Sequence, residues 1–345
     1  MNKILTLIIP TYNMQNYLHR CLNSLLVSPD LMDMLEVIVI NDGSKDESSA
    51  IAHEYEERFT HVFRVIDKEN GNYGSCINVG LSEAQGRYVK ILDADDWFDT
   101  AIFEDYIERL SQMDGVDMVI TDFSTMSEES DSGQKNTFPI AYDKEFSFQD
   151  YIGLEYFAHH AVTYRVGLLH DIQYRQTEGI SYTDTEWVMY PQLYVDKCVY
   201  LNMDLYRYLL GREGQTMDPA VRRKSCSQLI IILKRMIQTI NSFSKNDLNK
   251  GGFLRIKSYV LHESKGLYNT FLVKSSKEDF CSEQLVDFDS FLFRNQPEMY
   301  FSIGEALVLK GIPIHYVKYW RKHGERFPVD VLRSWYRKIR YGHSK

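Results

Sequence analysis

The sequence lacks the features that would place it in several common protein classes. Its five cysteines are scattered and include no C-x-x-C pair, which argues against a disulfide framework and predicts a reducing, cytosolic setting. No apolar run approaches the roughly 18 residues that a membrane span needs. The N-terminal apolar run stops at Pro10 and is too short for a signal peptide. A net charge of −9 argues against a nucleic-acid-binding protein.

Two nucleotide-binding signatures are also absent. No G-x-G-x-x-G motif follows the first apolar run, which argues against a dinucleotide-binding dehydrogenase, and no P-loop is present. The loop after that run, Pro10-Thr11-Tyr12-Asn13, has no glycine to let a pyrophosphate approach a helix N-terminus. It also lacks the glycine-rich, basic character expected of a nucleotidyltransferase on a similar sheet.

The chain has enough apolar residues for substantial cores. Hydrophobic residues make up 44% and aromatic residues 13% of its 345 residues, which predicts one large domain or two ordinary ones. Short apolar runs alternate with helical patterns in the first half. This alternation predicts an α/β fold with a mixed, mostly parallel, Rossmann-like sheet and helices on both faces. The predicted strands lie at residues 5–9, 36–40, 62–66, 89–92, 118–121 and 198–210.

The second half of the chain has a different pattern of apolar and polar residues. Residues 127–135 are polar and predict a surface excursion, and residues 146–157 predict a helix. After residue 217, helical patterns at 229–240, 253–271 and 284–293 follow one another without another strong strand pattern. We therefore expect an α/β domain over residues 1–217 and a C-terminal, mostly helical domain over residues 218–345.

Three carboxylates, Asp93, Asp95 and Asp96, end one buried strand. Unpaired carboxylates are expensive to bury, so they must face a cation or a cleft where the strand emerges. Asp93-Ala-Asp95 has D-x-D spacing, and carboxylates suit Mg²⁺ or Mn²⁺. An ordinary acidic turn is the alternative from spacing alone, but open α/β sheets bind ligands at the carboxyl ends of their strands.

Four further features have two interpretations each. The acids Asp184 and Glu186 either serve chemistry or favour a helix N-terminus through the macrodipole. Lys90, inside an apolar strand, either pairs with an acid of the site or reaches solvent. The adjacent His159 and His160 are either structural or contact a ligand. A C-terminal arm, residues 318–345, has nine Lys or Arg and two acids interleaved with aromatics. It either lies on anionic lipid or packs its aromatics on its own domain.

Four sequence blocks together resemble glycosyltransferase family 2, the inverting nucleotide-sugar transferases of GT-A fold, over about the first 210 residues. The blocks are Pro10-Thr11-Tyr12-Asn13 after a strand, Glu36 to Ser44 with Asn41-Asp42-Gly43-Ser44 at its end, Asn78-x-Gly80 through Gly86-x-Tyr88, and Leu92-Asp93-Ala94-Asp95-Asp96. Each block is weak alone, whereas the ordered set is specific.

The resemblance implies a donor site. Tyr12 would stack on the base, Asp42 would accept a hydrogen bond from the uracil imide, and Asp95 with Asp93 would hold Mn²⁺ or Mg²⁺ on the diphosphate. Asp96 would support the metal site or cap the next helix. The full donor-binding set is Pro10, Thr11, Tyr12, Asn13, Asp42, Asn72, Asn78, Asp93, Ala94 and Arg212.

The resemblance also implies the chemistry. Asp184 would be the base of a single in-line displacement, with Glu186 as its rival, and His160 and Trp187 would contact the acceptor. Relatives carry Arg where this chain has Ile77, so we expect Arg212 to replace that phosphate contact; a solvated loop arginine is the alternative.

The implied function is transfer of a sugar from a nucleotide sugar, UDP-linked, to a glycan or lipid-linked hydroxyl acceptor. It would take place in the cytoplasm, with a peripheral contact of the C-terminal arm at the inner membrane face. The alternative is a catalytically degenerate sugar-nucleotide-binding or scaffold protein of the same fold. No nucleic-acid partner is expected, and the sequence leaves the oligomeric state, the sugar and the acceptor open.

Overall fold

A computed structural model of the chain describes residues 3–127, 130–148, 157–212, 226–242, 250–274, 282–304, 307–309, 312–324, 334 and 338. The chain divides into two compact units. The first comprises Met1–Gln215 and Leu248–Arg255, and the second comprises Thr216–Asp247 and Ile256–Lys345. The expected division into an α/β domain over residues 1–217 and a helical domain over residues 218–345 stays a prediction.

The first unit is built on one mixed sheet. Its strands are β1 (Leu5–Thr11), β2 (Leu35–Asn41), β3 (Phe63–Asp67), β4 (Tyr88–Ile91), β5 (Trp97–Phe98), β6 (Met118–Ser127), β7 (Ser130–Asn136), β8 (Glu145–Ser147), β9 (Val162–Arg165) and β10 (Lys197–Leu210). They run in the order β3-β2-β1-β4-β9-β6-β10-β5, with β7 beside β6 and β8 beside β10. β1, β2, β3 and β4 pair in parallel, as do β6 and β10, whereas β9 is antiparallel to both its neighbours.

The apolar runs explain why the sheet forms the core. β1 and β2 are almost entirely buried along their length, as expected for parallel strands covered on both faces. The helices of this unit are α1 (Leu18–Asn23), α2 (Pro29–Met32), α3 (Ser48–Arg58), α4 (Asn72–Glu83), α5 (Thr100–Gln112), α6 (Val166–Asp171) and α7 (Asp184–Met189). The mixed, mostly parallel α/β architecture predicted from the sequence is therefore observed.

Two segments contain strands that the sequence did not predict. The polar segment expected as a surface excursion is exposed at residues 133–135 and contributes β7, which pairs antiparallel with β6. The helix predicted over residues 146–157 does not begin as expected, because β8 occupies Glu145–Ser147 and pairs with β10; residues 149–156 lie outside the described part.

The second unit is mainly helical in its described part. Its helices are Cys226–Ser242, Ser282–Asn295, Pro297–Gly304 and Tyr316–His323, and a helix over Lys250–Asn269 begins in the first unit and continues into the second. A short antiparallel pair, Leu307–Leu309 with Ile312–Ile314, adds the strands that the sequence pattern did not reveal. Among the described residues, no helix combines the length and the apolar character needed to cross a bilayer.

The helix Tyr316–His323, at the start of the basic arm, buries part of its surface. Tyr316, Val317 and Trp320 are buried, and the Trp320 ring packs edge-on against Tyr268 at 6.0 Å between centroids. Trp320 therefore packs within its own unit, whereas Tyr319 of the same helix is 47% exposed. The second basic aromatic segment, residues 332–340, lies outside the described part except for residues 334 and 338.

Candidate active site

The loops after β1 and β2 are tied together. Asn13 adopts a left-handed backbone with φ 55°, which asparagine tolerates better than most residues. Its N–H donates to Ser44 Oγ at 3.1 Å, and its Oδ1 accepts from the Lys45 N–H at 2.8 Å. The neighbouring Tyr12 is 45% exposed, so its ring is accessible for stacking. Asn13 thus acts here as a link between loops.

Asp42, the first residue after β2, is buried and already paired. Its Oδ1 accepts from Lys68 Nζ at 2.6 Å and from the Gly71 N–H at 2.9 Å. Gly43 beside it has φ +74°, a conformation that side chains rarely adopt. Lys68, which the sequence did not single out, is therefore part of the expected nucleoside site.

The residues expected on α4 have different surroundings. Asn72 is its first residue, with φ 64°. Asn78 lies one turn and a half further on, and its amide bonds the backbone O and N of Gln176 and the Glu178 carboxylate at 2.8 to 2.9 Å. Asn78 therefore holds the segment before α7 in this structure, and its contact with the donor stays a prediction. Ile77 is fully buried.

Three acids converge where β4 ends. Carboxylate oxygens of Asp93, Asp95 and Asp96 lie within 4.8 Å of one another. Ala94 between them is buried. Burial, reinforced by the charges of the neighbouring aspartates, raises the pKa of both Asp95 and Asp96. This cluster is the negative centre of the site.

Each acid of the cluster has its own partners. Asp96 accepts from Tyr206 Oη at 2.7 Å and from the Leu209 N–H at 2.8 Å, so it supports the cluster; Asp99, not Asp96, caps α5 through the Ile102 N–H. Asp95 accepts from Arg212 Nε. Arg212, expected to clamp phosphate or point to solvent, is thus paired with an acid of the D-x-D motif.

His159 joins the acid cluster to the second acidic segment. Its Nε2 lies 3.0 Å from Asp93 Oδ2, and its Nδ1 lies 3.8 Å from Asp184 Oδ2. Burial opposes the charged imidazolium, but the negative charge of Asp93 and its hydrogen bond outweigh burial and raise the pKa of His159. Tyr73 Oη donates to the other oxygen of Asp93 at 2.9 Å. Asp93 and Asp184, which are 91 positions apart in the sequence, thus both lie beside the imidazole ring of His159.

The two acids of α7 differ in surroundings. The Asp184 side chain is 37% exposed, and its Oδ2 lies 3.8 Å from His159 Nδ1. Desolvation raises the pKa of Asp184, with His159 opposing and Asp93 adding to the effect. Glu186 is fully buried, and its two oxygens accept from the N–H and the hydroxyl of Thr177 at 2.7 and 2.9 Å. Only Asp184 of this pair is aimed at the acid cluster.

The residues expected to contact an acceptor are enclosed instead. Trp187 is fully buried and packs edge-on against Tyr164 at 5.3 Å. The His160 ring is 5% exposed and lies 4.1 Å from the Tyr208 ring and 4.7 Å from the Tyr206 ring. Burial lowers the pKa of His160 well below its ordinary value. Both expectations are corrected, because these rings pack in the interior.

Lys90 has neither of its expected environments. It is fully buried and donates from Nζ to the backbone oxygens of His160 at 2.6 Å and Val162 at 3.3 Å. Burial lowers its pKa to about 7. Lys90 therefore fixes the backbone of the segment that carries His159.

The donor set of the cluster fits a hard divalent cation. Three clustered carboxylates, of which Asp95 and Asp96 are buried, repel one another. Mg²⁺ and Mn²⁺ prefer carboxylate, water and phosphate oxygens. A second grouping, Asp93 with His159 and His160, brings imidazole nitrogens within the same 4.8 Å, a donor set that suits softer transition metals. The carboxylate group is the better match for the predicted ion.

Comparison with protein families and known sequences gives one consistent family. The family model described as "Glycosyl transferase family 2" matches residues 6–173. Relatives include glycosyltransferase GlyA of Streptococcus pneumoniae serotype 4, 38% identical over 31% of this chain and 14% of that protein. Another is putative glycosyltransferase EpsH of Bacillus subtilis strain 168, 35% identical over 39% of this chain and 38% of that protein. The matched segments thus span well under half of these relatives.

Solved structures match the fold over nearly the whole chain. S. aureus TarS 1-349 in complex with UDP-GlcNAc has a TM-score of 0.68 and 19% identity, covering 99% of this chain and 92% of that one. Mannosyltransferase PcManGT from Pyrobaculum calidifontis, in complex with GDP-Man and Mn2+, has a TM-score of 0.52 and 14% identity, covering 88% and 85%. The first likeness confirms the predicted GT-A fold.

Proposed function

The chain belongs to glycosyltransferase family 2 through residues 6–173, and from this premise we propose that it transfers a sugar from a UDP-sugar to a hydroxyl acceptor. One observation carries the proposal. Asp93 and Asp184, remote in sequence, flank the His159 ring at 3.0 and 3.8 Å, beside the cluster of Asp93, Asp95 and Asp96. A cation-binding group and a candidate base therefore share one site.

The proposed reaction is a single in-line displacement with inversion. The acceptor oxygen forms a bond to the anomeric carbon, the bond from that carbon to the diphosphate oxygen breaks, and the acceptor proton passes to the Asp184 carboxylate. The nucleoside diphosphate leaves with the bonding electron pair. A positioned base contributes about 10²- to 10⁴-fold to such a step. The raised pKa of Asp184 makes it a stronger base than an exposed aspartate.

Asp93 and Asp95 are the proposed ligands of Mn²⁺ or Mg²⁺, with Asp96 held beside them by Tyr206 and the Leu209 N–H. When bound, the divalent cation neutralises charge that develops on the departing diphosphate. His159 and Tyr73 hydrogen-bond Asp93. They thereby fix the carboxylate orientation that the ion requires.

The uridine site is proposed at the ends of β1 and β2. Tyr12 is exposed enough to stack on a base, with Pro10 and Thr11 as the wall expected from the family resemblance. Asp42 is the proposed acceptor for the uracil imide, and the hydrogen bond from Lys68 beside it holds the carboxylate in place. Asn72 at the start of α4 completes the proposed set.

The acceptor is proposed to be a glycan or lipid-linked saccharide, met in the cytoplasm at the inner face of the membrane. The basic character of residues 318–345 supports this location. Since Trp320 is buried within its own unit, the membrane contact is assigned to basic side chains rather than to that ring.

The test measures UDP release from a panel of UDP-sugars with Mn²⁺, with GDP-mannose as the competing nucleotide. We expect turnover with at least one UDP-sugar and its loss in Asp95→Ala. Release from GDP-mannose but from none of the UDP-sugars would overturn the uridine assignment. Turnover that survives Asp95→Ala would overturn the metal assignment.

A second candidate is a catalytically degenerate sugar-nucleotide-binding protein of the same fold. Two observations favour it. Ile77 is buried at the position where the family resemblance implies an arginine, and Arg212 is paired with Asp95, one of the proposed metal ligands. The two candidates differ in outcome. A degenerate protein would show a thermal shift with UDP-sugars but no UDP release with any acceptor extract.

A further inference from the structure

Arg212 forms an ion pair inside the acid cluster. Its Nε donates to Asp95 Oδ2 at 2.5 Å, and the two side chains are only 18% and 9% exposed. The guanidinium carbon also lies 5.8 Å from the centre of the Tyr17 ring. A guanidinium thus reaches one of the two carboxylates proposed to hold the metal.

The partners of the other two acids are of a different kind. Asp93 bonds Tyr73 and His159, and Asp96 bonds Tyr206 and a backbone N–H. Among these partners, the guanidinium of Arg212 is the only group with a permanent charge, since arginine is not deprotonated in proteins. Arg212 is therefore the fixed positive charge that balances the cluster in the nucleotide-free protein.

We infer that Arg212 and the divalent cation compete for Asp95, and that Arg212 moves from Asp95 to the donor diphosphate when the two ligands bind together. The inference rests on the proposed function. Carboxylate oxygens suit the metal, and a guanidinium fits phosphate oxygens with paired hydrogen bonds. Metal alone has to break the ion pair between Arg212 and Asp95. Metal with a diphosphate replaces this ion pair by a contact between the guanidinium and phosphate oxygens.

This exchange has a thermodynamic consequence. The nucleotide must strengthen metal binding, and the metal must strengthen nucleotide binding by the same factor. Removing the guanidinium should raise the affinity for metal alone and lower the coupling between metal and UDP. A phosphate clamp that never contacted Asp95 would lower UDP affinity and leave metal binding unchanged.

The test uses the full chain and measures free Mn²⁺ by electron paramagnetic resonance, with and without UDP. We compare wild type with Arg212→Gln and Arg212→Lys. Arg207→Gln is the matched control, since Arg207 lies on β10, the strand that precedes Arg212, is 15% exposed and pairs with Asp99 and Asp204 instead of an acid of the cluster. Thermal melting of each variant verifies its folding.

For Arg212→Gln without UDP, we expect Mn²⁺ to bind at least about fivefold more tightly than in wild type, the lower end of typical coupling factors. Its enhancement by UDP should shrink, and Arg212→Lys and Arg207→Gln should stay close to wild type. Equal or weaker Mn²⁺ binding by a folded Arg212→Gln, or no Mn²⁺ binding by wild type in either condition, overturns the inference. UDP release measured on the same wild-type sample tests the proposed function separately.

Discussion

The substitutions Asp184→Asn and Glu186→Gln each remove one carboxylate from helix α7. We expect the first to impair turnover and the second to impair stability. Asp184 is partly exposed and faces His159, so its replacement by the isosteric amide leaves packing intact. As the proposed base, its loss should lower kcat by about 10²- to 10⁴-fold. This corresponds to about 3–5 kcal/mol of activation free energy. The Michaelis constant for the donor should hardly change.

Glu186→Gln should instead affect stability and not turnover. Its two oxygens satisfy the N–H and the hydroxyl of Thr177 in a fully buried setting. Glutamine keeps one acceptor oxygen and places an NH₂ where the second oxygen was. One Thr177 donor then loses its partner unless the hydroxyl rotates, and an unsatisfied buried donor destabilises by about 1–3 kcal/mol. We expect lower stability and nearly unchanged turnover at a temperature where the variant is folded.

Two measurements on the same preparations separate the cases. UDP release at saturating donor and Mn²⁺ reports turnover, and equilibrium denaturation in urea reports the free energy of unfolding. Asp184→Asn should lower turnover and leave the free energy of unfolding unchanged. Glu186→Gln should lower the free energy of unfolding and leave turnover nearly unchanged. Normal turnover in Asp184→Asn, or lost turnover in a fully stable Glu186→Gln, would refute the assignment of the base.

Three further perturbations test other parts of the site. Asp95→Ala should abolish the Mn²⁺-dependent part of the thermal shift produced by UDP, and a shift equal to wild type would contradict its role. Tyr206→Phe removes a hydrogen bond to buried Asp96 and should destabilise folding by about 1–3 kcal/mol in urea denaturation; an unchanged midpoint would mean that the bond contributes nothing. Burial lowers the pKa of Lys90 from its ordinary 10.5 to about 7, so between these pH values the unfolded chain binds the extra proton and stability rises with pH. In Lys90→Met this rise, at most about 1.4 kcal/mol per pH unit, should be missing from unfolding free energies measured at pH 7 and 9; a curve that parallels wild type would contradict the burial effect.

The parallel part of the sheet could be predicted because its strands carry their own signal. β1 and β2 are continuous apolar runs that end in polar turns, the pattern of strands buried on both faces. β9 gave no such signal, since Val162–Arg165 has only four residues and mixes apolar with polar types. Its place between β4 and β6 is set by pairing with both neighbours. Such tertiary pairing is not encoded in local periodicity.

The acids of the site could also be located from sequence, but their partners could not. Asp93 and Asp95 stand at a strand end, where spacing and position suffice to suggest a cation. His159 comes from a short turn 66 positions away, and neither periodicity nor spacing links it to Asp93. Arg212 was singled out for the charge that a phosphate needs, and the structure pairs it with Asp95. The sequence indicated several of the charged residues of the site, although not Lys68, whereas the fold determined which of them meet.

Lys90 links the strand that ends at Asp93 to the segment that carries His159. It lies on β4, whose end delivers Asp93, and its Nζ bonds the backbone oxygens of His160 and Val162. The turn at His159 interrupts regular pairing just before β9, so its carbonyls need donors that a strand neighbour does not supply. A buried lysine provides those donors, and the same strand thereby positions both Asp93 and the backbone that carries His159. An apolar residue at position 90 would fit the strand pattern better but would leave the His160 carbonyl without this bond. Lys90, the residue that interrupts the apolar pattern of β4, therefore anchors the backbone next to His159.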